Sequence, residues 1–207
     1  GHLDRALDYY GKTLDKDPAH MRARLNRCSI FMALDEGKKA LDDAEILLDL
    51  APNFTLARFK KAEAEMSLGE WANARSDLEM VLEKAPHHHQ ALTQLAACFV
   101  ALKRPERAEG PLNDALRIAP DYAPAWHQRG LLYLEWGKDD NALSDFEAAI
   151  KCDGNHIDAH LHIAALHHEA ERYQQASSGW RSVLAIDAEH IVAKTRLDEC
   201  EVKMLAK

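Results

Sequence analysis

The chain has 207 residues, 47% hydrophobic and 29% charged, a balance that belongs to folded chains and excludes a disordered or low-complexity one. Its formal net charge of −8, with a pI near 5.8, withholds the positive field that nucleic acid or an anionic membrane surface demands. No apolar run approaches the ~20 residues that span a bilayer and no signal peptide is visible, so neither nucleic-acid binding nor membrane insertion is expected.

From its start onward the chain is punctuated at a fixed interval. Pro18, Pro52, Pro86 and Pro120 stand 34 residues apart, and the count continues through Gly154 and Ala188, where proline is lost but the phase is kept. Twelve residues ahead of these six positions stand Ala6, Ala40, Ala74, Ala108, Ala142 and Ala176. Five residues after them stand Ala23, Ala57, Ala91, Ala125, Ala159 and Ala193, and four ahead stand Leu14, Leu48, Leu82, Leu116, Ile150 and Leu184. Three columns holding over six periods are not a chance pattern.

In chain order, residues 1–20 read as one helix, and 21–54, 55–88, 89–122, 123–156 and 157–190 each hold two helical patterns. Residues 191–207 read as a last, single helix that solvates or caps the end. The period from Ala123 is the clearest. Trp126, Gly130 and Tyr133 share one helix face, "GKDD" breaks it, and Ala142, Phe146, Ala149 and Ile150 share the next. Gly1, Gly69 and Gly137 fall in the first break, where a helix end favours a residue that tolerates positive φ. The prolines fall in the second, ahead of the next helix start. The alanine columns mark places where two helices cross closely. Within 105–118, Gly110-Pro111 interrupts a helical pattern, and a kink is expected there.

Trp126, Gly130, Tyr133, Ala142, Phe146 and Ala149, at their spacing, closely resemble the signature of the tetratricopeptide repeat. That resemblance covers the whole chain. It implies an all-α fold: a right-handed superhelical solenoid of antiparallel helix pairs, about twelve helices, with residues 1–20 as the second helix of a truncated repeat. Because Gly1 is at the turn position, a longer parent protein is expected. Departures are Cys28 where the signature has glycine, and charges at Arg27, Lys61 and Arg129.

In this family the first helix of each unit lines a concave groove. Carried onto this chain, the groove takes Asn26, Ser29 and Met32; then Phe59, Lys60, Glu63 and Met66; then Gln94 and Ala97. His127, Gln128, Leu131 and Leu134 follow, and His162 and His168 come last. A water-facing helix rarely carries residues such as Phe59, Met66, Leu131 and Leu134 on its open side, so an amphipathic helix or extended peptide is the expected ligand. Two specialisations of the family are missing. Leu25, Phe59 and Thr93 stand where co-chaperones need a basic residue to hold a C-terminal carboxylate, and the asparagine ladder of the O-linked N-acetylglucosamine transferase is reduced to Asn26.

The 12 histidines invite a metal reading. Zinc needs three or four ligands converging on one point, whereas His87, His88 and His89 diverge around a turn. The best-spaced set, Cys152, His156 and His160, spans a helix-to-helix turn that breaks the spacing; no metal site is expected. Cys28, Cys98, Cys152 and Cys200 lie far apart without a CxxC pair, which points to buried thiols in a reducing, cytoplasmic setting. There is no P-loop, GxSxG or GxGxxG, so neither catalysis nor a cofactor is expected. The leading reading is a non-catalytic interaction scaffold for a protein or peptide, for example an assembly or chaperone-like adaptor. Two alternatives stay open: the substrate-recruiting region of a larger enzyme such as a glycosyltransferase, and a structural protein that self-associates through its terminal half-repeats. With His127, His162 and His168 at one end of the groove, partner affinity is expected to change between about pH 7.5 and 5.5.

Overall fold

The computed structural model describes residues 2–205, and every regular element among them is helical. In chain order these are α1 (His2–Lys16), α2 (Met21–Ala33), α3 (Gly37–Leu50), α4 (Thr55–Ser67), α5 (Trp71–Lys84) and α6 (His89–Ala101). A 3₁₀ turn at Pro105–Arg107 precedes α7 (Glu109–Ile118), α8 (Ala123–Glu135) and α9 (Asp139–Cys152). Then come α10 (Ile157–Glu169), α11 (Tyr173–Ile186) and α12 (Ile191–Leu205). The chain divides into two compact units, one ending at Pro111 and the other starting at Leu112. In the first unit each helix from α1 to α6 packs on its sequence neighbour, and α2 also touches α4. The second repeats the scheme from α8 to α12. Contact concentrated between sequence neighbours is the packing of a helix-pair solenoid.

Both breaks have a repeated chemistry. Asp35, Gly69, Lys103, Gly137 and Glu171 all adopt positive φ, between 55° and 77°. After each of them, a backbone N–H reaches back to close the helix end: Glu36 to Phe31, Glu70 to Glu65, Arg104 to Phe99, Lys138 to Tyr133 and Arg172 to His167, at 2.8–2.9 Å. Three positions therefore hold the left-handed turn without glycine. At the second break Asp17, Asp153 and Asp187 accept the N–H of Ala19, Asn155 and Glu189, which tightens the turn with proline or without it.

The alanine columns are the tight crossings. Ala40, Ala74, Ala108, Ala142 and Ala176 are fully buried, as are Ala57, Ala91, Ala125, Ala159 and Ala193. Across each pair, a small residue meets the opposing helix. Gly130 faces Phe146, and a Cβ on Gly130 would lie 2.6 Å from that ring. In the corresponding positions Cys28 stands with Ala44, Ala62 with Leu78, Ala96 with Leu112 and Ala164 with Trp180. Cys28 thus replaces glycine where the opposing ring shrinks to alanine, and its thiol donates to the Ala40 carbonyl at 3.3 Å.

The charged departures are half of a buried ion-pair system. Asp43 accepts from Arg24 at 2.9 Å and from Arg27 at 2.7 and 2.8 Å. Asp77 accepts from Arg58 at 2.7 Å and Lys61 at 2.6 Å, and Asp145 from Arg129 at 2.7 and 2.8 Å. The three aspartates are 2–6% exposed. Where the aspartate column is Pro111 or Gly179, the partnering position is Leu95 or Ile163, so charge is present on both sides or on neither. Hydrogen bonds to Asp43 raise the Arg27 pKa. Burial works against the Lys61 ammonium, but Asp77 and Glu65 outweigh it and its pKa is raised too. Glu65 is also raised: burial outweighs the help of Lys61, which it shares with Asp77.

The expected kink at Pro111 is corrected. The α-helix starts at Glu109, after the 3₁₀ turn, and this places Pro111 in the first turn of α7. There the missing N–H has no helical acceptor to lose, so the break falls ahead of Pro111 and the helix starts late.

Candidate functional site

Within each unit, side chains at the positions assigned to the groove reach from helix to helix: α2 to α1 and α6 to α4 in the first, α8 to α10 and α10 to α12 in the second. Asn26 is exposed and donates to the Tyr10 hydroxyl on α1 at 3.2 Å. Ser29, also exposed, returns its hydroxyl to the Leu25 carbonyl. Lys60 donates to Glu63 Oε2 at 2.7 Å, and Gln94 of α6 donates to Glu63 Oε1 at 3.1 Å. This Lys60–Glu63–Gln94 row is half-buried, and the Gln94 carbonyl oxygen has no partner.

The apolar members lie deeper than the sequence suggests. Phe59 is only 6% exposed, with its ring 4.6 Å from that of His88, and the expectation of an open Phe59 is corrected. Met32 packs against the small core of Cys28, Ala40, Ala44 and Ala64, while Met66 and Ala97 are half-buried. Leu131 and Leu134 pack against the Phe146 core. Much of the expected apolar floor is thus shared with the chain's own core, and the exposed members, Asn26 and Ser29, are polar.

In the second unit His127, Gln128, His162 and His168 are half-buried. His127 lies 5.4 Å from the His162 ring, 4.7 Å from His156 and 5.6 Å from Phe146, and His162 stacks on Phe146 at 4.9 Å. His168 does not join them. Its Nδ1 is 3.4 Å from Cys200 Sγ and its Nε2 is 3.8 Å from Glu199, both on α12. Burial first, then His156 and His162, push the His127 imidazole down to about 4. Burial also lowers His162. The change expected for this group near neutrality therefore moves, for His127, to a more acid range.

The histidine run is explained by His88. It is the N-cap of α6, and its Nδ1 accepts the Ala91 N–H at 3.2 Å. His20, His156 and His190 do the same for Ala23, Ala159 and Ala193 at 3.1–3.3 Å. All four occupy one column of the 34-residue count, a signal that was legible but lost beside the triple histidine. His87 is exposed and His89 is the first residue of α6. The Cys152, His156 and His160 set is dispersed: Cys152 Sγ faces the Pro120 carbonyl, His160 Nε2 the Gly154 carbonyl, and His156 caps α10. Among the described residues no three such side chains are placed to hold a metal, and no helix is long and apolar enough to cross a membrane.

Three family models described as tetratricopeptide repeat match residues 1–53, 65–129 and 123–156, together well over half of the chain. No curated protein matches in sequence. Among solved structures, a thermophilic TPR protein of Thermus thermophilus is similar at a TM-score of 0.75 and 23% identity, over 88% of this chain and 99% of its own. YrrB, a TPR protein with an unusual peptide-binding site, is similar at 0.60 and 20% identity, over 90% of this chain and 96% of its own. The APC/C hetero-tetramer Cut9–Hcn1 contains a chain similar at 0.85 and 18% identity, over 96% of this chain and 40% of that one. At these identities the neighbours bear on the fold alone, which is consistent with a protein–protein interaction scaffold. The repeat columns, the helix pairs and the family models agree: the chain belongs to the tetratricopeptide repeat family.

Proposed function

We propose that the chain is a non-catalytic interaction scaffold whose repeat units, 21–54, 55–88, 89–122, 123–156 and 157–190, present their first helices to a polypeptide partner. The observation that carries this reading is the Lys60–Glu63–Gln94 row, extended by Asn26 and Ser29. Lys60, Glu63 and Gln94 pair across α4 and α6, the Gln94 carbonyl oxygen is left over, and Asn26 and Ser29 pair with Tyr10 and the Leu25 carbonyl; each can turn to a peptide N–H or C=O instead. The apolar residues of this layer are largely committed to the core, which favours main-chain recognition of an extended peptide over docking of an amphipathic helix. YrrB, whose fold is shared, is itself described as having a peptide-binding site, and supports the same reading. Four free thiols fit a reducing, cytoplasmic setting.

A peptide display library selected against the whole chain tests the proposal. Lys60→Ala and Glu63→Ala should each weaken a selected peptide by about tenfold, or about 1.4 kcal/mol, while Glu79→Ala on α5 leaves it unchanged. No selected peptide sensitive to Lys60 or Glu63 would refute it. Self-association is a second reading, favoured by α12, where Ile191, Val202 and Leu205 are 78%, 65% and 89% exposed. Sedimentation that stays monomeric across concentration would dismiss it.

A further inference from the structure

The second unit concentrates imidazoles where its helices meet. His127 on α8 and His162 on α10 lie against one ring, Phe146 of α9, and His156, at the turn after α9, lies against His127. His127 Nε2 is buried and has no hydrogen-bond partner. A proton placed there would put a cation against two imidazoles and a phenyl ring with no acceptor to receive the N–H. His156, whose ring lies 4.7 Å from that of His127, caps α10 through its Nδ1, which accepts the Ala159 N–H. Within this unit the titratable or charged groups facing His127 are His156, His162 and Asp158; α9 presents Phe146. Asp158 alone favours the cation.

We propose that this cluster is an acid-sensitive joint: a proton on His127 breaks its ring contacts with His156 and His162, which frees the first turn of α10 and loosens α8 against α10, within the second unit. The sign follows from burial. Above about pH 6.5 His127 is neutral folded or unfolded; as pH falls toward its folded value of about 4, the opened chain binds a proton that the packed one resists. Acid therefore favours opening. This inference does not rest on the peptide reading, because its test involves no ligand.

Hydrogen exchange followed by mass spectrometry on the whole chain, at about pH 7.5 and about pH 4.5, reads it out. After correction for intrinsic rates, protection of residues 157–163 should fall about tenfold more than that of α11. The excess should vanish in His127→Phe, which keeps an aromatic ring, and shrink in His127→Gln. Equal loss in α10 and α11, no loss, or the same excess in both variants would overturn the proposal. Should neither variant fold, the wild-type imidazole signals decide: His127 titrating near 6.5 contradicts the joint, and titration well below that value supports it.

Discussion

Removing the Asp145 carboxylate isolates the buried ion pair from everything else. Asp145 has a side chain 5% exposed and accepts both Nε and Nη2 of Arg129, whose own side chain is 18% exposed. Unit charges about 4 Å apart at an effective dielectric near 20 attract by about 4 kcal/mol, and desolvation takes back much of this. Asp145→Ala leaves a guanidinium that still donates to Asn113 and lies over Trp126, so the expected loss is about 3 kcal/mol. Arg129→Leu strands a carboxylate beyond reach of water, for a similar loss. The double variant should cost about 3 rather than about 6 kcal/mol, a coupling of about 3, because the chain itself pairs Leu95 with Pro111 and Ile163 with Gly179. Repeat arrays need not unfold in two states, so the assay is native-state hydrogen exchange of α8 and α9 amides. Additive losses, or a loss below about 0.5 kcal/mol for Asp145→Ala, would refute the view that the charges are placed as pairs.

Gly130→Ala forces a methyl against Phe146, which is fully buried; overpacking should exceed the gain in helix propensity and lower stability by about 1–2 kcal/mol, and a raised thermal midpoint would contradict it. His20→Ala should cost about 0.5–2 kcal/mol through loss of the α2 cap, while His20→Asn stays within about 0.5; equal losses in the two variants would show that capping is not the role. Maleimide at neutral pH should label exposed Cys152 alone. Burial pushes Cys28 to about 12 and Cys98 to about 11, and Cys200 is also raised, so labelling of these thiols in folded protein would contradict their packing.

Phase was legible in the sequence because it is fixed by sterics at a few positions: alanines at crossings, punctuation between helices, an aromatic facing a glycine. Depth was not. Phe59 has the right phase for an open face, but the capping ring of His88 covers it, and no helical periodicity reports what a neighbouring turn brings. Leu131 and Leu134 sink for a related reason, because they meet the Phe146 core. The buried pairs were half visible. Arg27, Lys61 and Arg129 stand out as charges in an apolar column, and Asp43, Asp77 and Asp145 repeat in the same units, yet only the fold shows that the two columns touch. Pro111 depended on where α7 begins, which local propensity leaves open by a turn.

Side-chain footprinting of the chain, with and without a display-selected peptide, tests most directly whether the first helices receive a polypeptide. Protection is expected on α2, α4 and α6, around Asn26, Lys60, Glu63 and Gln94, with α3 and α5 unchanged. Protection confined to α3 and α5, with Lys60 and Glu63 still reactive, would contradict it.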